Sequence, residues 1–129
     1  MSSDCIAIKI TSDHNTINNN NITSGGTGAG DGITMGGDYN TISNNTIQSG
    51  DEAIHLFDGS SATIIYNTLR YNDDDCIQID GGSNHVVSHN NLTGICMRGI
   101  AIEGPSTENV TVSNNKITGS CGGHIGIHV

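Results

Sequence analysis

The chain has 129 residues, of which four are Lys or Arg and 13 are Asp or Glu, giving a net charge of −9. That balance excludes nucleic acid as a partner, since neutralising phosphates needs clustered cations, and it disfavours unaided binding of any polyanion. Only 3% of residues are aromatic, too few for a conventional core built on large rings, yet only 13% are charged and the Ile and Val recur regularly, which is not the signature of disorder.

Two apolar frames alternate along the chain. One reads apolar-x-apolar: Ile6 and Ile8, Ile33 and Met35, Ile54 and Leu56, Ile77 and Ile79, Ile100 and Ile102, Ile125 and Ile127. The other reads apolar-x-x-Asn-x-apolar: Ile17 to Ile22 around Asn20, Ile42 to Ile47 around Asn45, Ile64 to Leu69 around Asn67, Val87 to Leu92 around Asn90, and Val112 to Ile117 around Asn115. The first apolar positions of this second frame lie 25, 22, 23 and 25 residues apart. Spacing of two is the strand period with one face buried; the helical spacings of three and four are absent. Gly, Asn, Ser and Asp fill the intervals as turns. Each repeat therefore predicts two or three short strands, and stacked repeats of that length predict a parallel β-helix with coils about 4.8 Å apart. The expectation is one domain over residues 1–129, compatible with being a segment of a longer solenoid.

The recurrent Asn explains itself structurally. An amide inside a sharp bend can bond its equivalents above and below, satisfying polar groups that the turn would otherwise bury. Cys5 and Cys76 both precede an Ile of the first frame, three coils apart, and read as buried thiols. Cys96 and Cys121 share one turn position in consecutive coils, close enough for a disulfide in an oxidising compartment. His14, His85, His89 and His124 read as surface polar residues.

If the first-frame Ile, Met and Leu point inward, the alternate residues form outward columns. One column reads Ala7, Thr34, His55, Gln78, Ala101, Gly126, and the next Lys9, Gly36, Phe57, Asp80, Glu103, His128. The preceding turn supplies Asp4, Asp31, Glu52, Asp75, Arg98 and Gly123, with Asp51 and Asp74 alongside. Polar groups thus concentrate on this face in the middle and C-terminal coils. Stacked like charges must raise a pKa or recruit a cation, and Ca²⁺ suits the oxygen set Asp51, Glu52, Asp74 and Asp75.

The segment DDDCIQIDGGSNHVVSHNN (73–91), and less fully SDCIAIKITSDHNTINNNN (3–21), resembles the Asp-Asp-Cys coil of the polygalacturonase family of glycoside hydrolases. The resemblance covers residues 51–129 best. Those enzymes are right-handed parallel β-helices, so the fold implied is all-β, a right-handed single-stranded parallel β-helix of about five coils of roughly 23 residues. It implies inverting hydrolysis by a carboxylate set on this face, with Asp74 and Asp75 as the Asp pair and Asp51 or Glu52 as the carboxylate one coil earlier. The family's Gly-His-Gly corresponds here to Met97-Arg98-Gly99, and its Arg-Ile-Lys, which holds the substrate carboxylate, to Gly126-Ile127-His128. The expected catalytic set is Asp74, Asp75 and Glu52. The expected substrate-binding set is His55, Asp80, Arg98, Glu103 and His128.

Two functions compete on these residues. One is a carbohydrate-active protein acting on or binding a polysaccharide, uronate-rich if the resemblance holds. The other is a non-catalytic structural or glycan-binding solenoid, such as a phage-tail or surface-adhesin segment. Ice binding needs a regular Thr array, which the mixed first-frame columns do not supply. A polysaccharide partner implies an extracellular or cell-surface location. No apolar run approaches the ~18 residues of a membrane span. The chain opens and closes on a first-frame strand, so self-association through uncapped coil ends is a further expectation.

Overall fold

Inward Ile, Val and Leu at strand spacing, punctuated by turns, wind the chain into stacked coils. The computed structural model describes residues 5–24, 30–48, 50–95, 97–119 and 125–129. Among them are sixteen short strands, numbered β1 to β16 in chain order, and no helix. The first sheet contains β1 (Ile8–Ile10), β4 (Ile33–Met35), β7 (Ile54–Leu56), β10 (Asp75–Ile79), β13 (Arg98–Ile102) and β16 (Ile125–His128). The second contains β2 (Thr16–Asn18), β5 (Thr41–Ser43), β8 (Thr63–Ile65), β11 (Val86–Ser88) and β14 (Thr111–Ser113). The third contains β3 (Asn21–Thr23), β6 (Thr46–Gln48), β9 (Thr68–Arg70), β12 (Asn91–Ile95) and β15 (Lys116–Gly119). Every pairing is parallel, each strand meeting its equivalent one coil away.

The core is the column of inward side chains. Ile33, Ile54, Ile77 and Ile100 stack in one row, Ile42, Ile64 and Val87 in a second, and Ile47, Leu69 and Leu92 in a third, all with no exposed surface. At both ends the register departs from expectation by two residues. Ile8 rather than Ile6 pairs with Ile33, and Ile127 rather than Ile125 pairs with Ile100. Ile6 and Ile125 are exposed, at 38% and 46%. A two-residue slip keeps the same face inward, so the run Ile6-Ala-Ile8-Lys-Ile10 satisfies alternation in more than one register. The turn decides: Ile10 to Ile17 spans seven residues, as Met35 to Ile42 does. Cys5 is consequently exposed, and Cys76 alone of that pair is buried. Cys96, Cys121 and His124 lie outside the described residues.

The Asn ladder forms as expected. The backbone N–H groups of Asn20, Asn45, Asn67 and Asn90 each donate 2.9 Å to the Oδ1 of the next Asn in the stack, ending at Asn115. Asn45, Asn67, Asn90 and Asn115 also send their Nδ2 to a carbonyl one coil back, as from Asn67 to Ile42 at 2.9 Å, while Asn20 Nδ2 donates to Asn18 in its own coil. The residue before each rung is left-handed: Asn19, Asn44, Tyr66, His89 and Asn114.

A second, broken ladder runs through the turn ahead of the second sheet. Asn15 N–H donates to Asn40 Oδ1 at 2.7 Å. Two coils further on, His85 takes the place of Asn. Its Nδ1 accepts from Ala62 N–H at 3.2 Å and its Nε2 bonds the Gly81 carbonyl at 3.0 Å. His85 is 1% exposed, so the surface reading fails for it. His14 and His89 do lie on turns, His14 stacked on Tyr39 and His89 tilted against Tyr66, with ring centres 5.0 and 5.1 Å apart.

At the corner where the first sheet ends, Gly37, Gly59 and Gly82 all have positive φ. A β-carbon on Gly59 would strike the Gly37 carbonyl, and one on Gly82 the Gly59 carbonyl. Backbone packs on backbone there, as only glycine allows.

Candidate active site on the first sheet

The observed register fixes which side chains stack at the head of the first sheet. The column at the head of the strands runs Ile6, Asp31, Glu52, Asp75, Arg98, Ile125, because each lies two residues before the paired Ile. Three acids in adjacent coils, at strand spacing near 4.8 Å, cannot all be ionised and unneutralised. The molecule resolves this in two ways, one at each end of the stack.

Toward the N-terminal coils, Glu52 keeps its proton. Burial, then its hydrogen bond with Asp31 and the charges of Asp31 and Asp51, push its carboxyl up to about 8. Burial presses upward on Asp31 as well, but its bonds with His55 and Glu52 outweigh that and hold it below the usual carboxylate range. His55 stands between two carboxylates, Nδ1 3.7 Å from Asp31 and Nε2 2.9 Å from Asp80. The Asp31 bond foremost, against opposing burial and with help from Asp80, raises the imidazole to about 9. Gln78 Nε2 donates to both Asp80 oxygens, at 2.9 and 3.0 Å. At neutral pH the array is thus a carboxylic acid, a carboxylate and an imidazolium, with Asp80 bonded to the far side of the ring. Asp31, Asp51, Glu52 and His55 line a cleft of about 360 Å³, closed at its sides by Ile6, Gly30 and Gln78.

Toward the C-terminal coils, a guanidinium does the neutralising. Arg98 grips Asp75 with Nε and Nη2, both at 2.8 Å, while Nη1 bonds Glu103. Asp75 has no exposed surface. Its burial raises the carboxyl and the Arg98 bonds pull it back. His128 lies 3.6 Å from Glu103, although its strand register sets it over Ala101 rather than over Glu103 as expected.

The expected site residues therefore divide. Glu52, Asp51 and His55 come together at the cleft, and Asp80 joins them through His55. Asp75 cannot serve as a catalytic carboxylate as it stands, because it is sealed from solvent and chelated by Arg98. Arg98 correspondingly turns its donors to Asp75 and Glu103. Asp74 presents one buried oxygen, Oδ1, without a hydrogen-bond partner among the described residues. The oxygen cluster suited to a cation also differs from the expected set. Carboxylates of Asp31, Asp51 and Glu52 offer atoms within 4.8 Å of one another, and neither Asp74 nor Asp75 joins them. The donors suit Ca²⁺, but a cation there must displace the Glu52 proton.

Asp31 is the residue sequence reasoning passed over, although it stands in the acidic column. Its role depends on which neighbour protonates, and that depends on burial.

The family model described as "Right handed beta helix region" matches residues 1–128. Neither the curated proteins nor the solved structures contain a significant match to the chain.

Proposed function

We propose that this chain, which belongs to the right-handed β-helix family, binds a polysaccharide along the outer face of its first sheet and cleaves it with Glu52 as general acid. The observation that carries the reading is Glu52 itself, a carboxyl held protonated to about pH 8 beside the ionised Asp31 and Asp51 in an open cleft. Two carboxyl groups whose environments drive their proton affinities apart are what glycoside hydrolysis uses; with oxygens within 4.8 Å of one another, one gives a proton to the leaving oxygen while the other attacks the sugar carbon, and water then hydrolyses the glycosyl-enzyme. His55 and Asp80 position Asp31, and Phe57, 40% exposed and edge-on to His55 at 6.4 Å, offers an apolar ring beside the groove. On this reading the chain works outside the cell or at its surface, where polysaccharide is met.

The seclusion of Asp75 favours a second reading, a glycan-binding module without catalysis. Release of reducing ends from a polysaccharide panel separates the two. Glu52→Gln should lower the rate at least ~10²-fold, the worth of a general acid, while leaving binding intact. The wild-type rate should fall as pH rises through about 8, where Glu52 loses its proton. Binding with no cleavage in the wild type would establish the second reading.

A further inference from the structure

The cationic side chains nearest the cleft are already engaged by the protein's own carboxylates. All three guanidinium nitrogens of Arg98 bond Asp75 or Glu103. Both ring nitrogens of His55 face carboxylates, Asp31 and Asp80. Among the described residues of this sheet, Lys9 belongs to the first coil, two rungs from His55 through Thr34, and His128 lies against Glu103; neither lines the cleft. A uronate carboxylate entering the cleft would thus meet Asp51 and Asp31 before any available donor of positive charge. To reach Arg98 it would have to displace Glu103 from Nη1, or the fully buried Asp75 from its hydrogen bond with Nε and its ion pair with Nη2.

From these ion pairs we infer that the glycan taken by this face carries no carboxylate or sulfate groups, and that free amines on it strengthen binding. The inference rests on the polysaccharide-binding reading above and names its substrate class. Sugar hydroxyls can donate to Asp51 and Asp80, a pyranose face can lie on Phe57, and an ammonium can sit beside the Asp31 and Asp51 carboxylates. None of these contacts asks Arg98 or His55 to change partner.

Calorimetry with three oligosaccharide sets of equal length tests this: N-acetylglucosamine oligomers, their deacetylated counterparts and galacturonate oligomers, all with chelator. The deacetylated oligomers should bind at least about tenfold more tightly than the acetylated ones at low salt. That advantage should shrink at high salt, as exposed charges are screened. Galacturonate should not bind the wild type, and should gain measurable binding with Glu103→Ala, which leaves Arg98 Nη1 without its acceptor. Galacturonate binding as tight as the acetylated set, or no effect of deacetylation, overturns the inference while leaving the glycan-binding reading in place. Failure of all three sets to bind defeats that reading itself, and this inference with it.

Discussion

The bend carrying the Asn ladder and the head of the first sheet are both columns of polar side chains stacked at the same repeat. They solve the burial of polar groups in opposite ways. In the ladder every rung is the same residue, so donor meets acceptor from coil to coil and nothing is left over for a ligand. At the head of the first sheet each rung differs: Asp31, Glu52, Asp75, Arg98. Matching must come from proton retention in one place and an ion pair in another. Uniform stacks hold coils together, and mixed stacks leave groups with altered chemistry beside solvent.

The comparison breaks most readily at Arg98. Arg98→Met strands the buried Asp75 carboxylate, and urea melts should show a loss of ~3–5 kcal/mol at neutral pH. Adding Asp75→Asn should restore most of it, because the stranded charge goes with the substitution. If the single change is mild, Asp75 is solvated and the contrast between the two columns is overdrawn.

In the ladder, Asn67→Ala should cost ~1–3 kcal/mol, the penalty for leaving buried partners unpaired. Asn18→Ala removes an exposed bond from Asn44 and a part-buried one from Ser43 and should stay within about 0.5 kcal/mol. Equal shifts in the two melts would mean that the ladder has no special standing.

A smaller effect than at Asn67 belongs to His85, where the second ladder changes from amide to imidazole. Its Nδ1 must accept from Ala62 N–H, so the fold favours the neutral ring, and burial depresses its proton affinity below the ordinary 6.5. Above that pH the ring is neutral in both folded and unfolded chains, and its contribution is complete. As pH falls below 6.5 the unfolded chain takes up the proton first, so stability drops until the folded ring also protonates. The loss should be about the worth of one hydrogen bond, ~0.5–1.5 kcal/mol. His85→Asn rebuilds the rung seen at Asn40, and the melting midpoint of that variant should lose this acid-side slope.

Identical residues at fixed spacing made the solenoid and its Asn ladder legible, since the sequence repeats what the coils repeat. The first strand was ambiguous because Ile6, Ile8 and Ile10 satisfy the same alternation, and only turn length separates the registers. The acidic column could be read as well, but its protonation could not. Nothing in the letters distinguishes Glu52, pressed against Asp31, from Asp75, gripped by Arg98. The buried His85 escaped because Ala62 interrupts the Asn series just before it.

The glycine corner of Gly37, Gly59 and Gly82 bears on how such a molecule can lengthen. Where one coil's α-carbon rests against the carbonyl of the next, any coil inserted between two existing ones must bring a glycine of its own to that corner. Growth by duplicating a whole coil satisfies this automatically, because the glycine is copied with the strand. Growth by recruiting unrelated sequence meets it only where a glycine happens to fall in phase. A library of coil insertions at this point should therefore sort by that one position before any core residue matters, and among the survivors the outer face would be open to new chemistry.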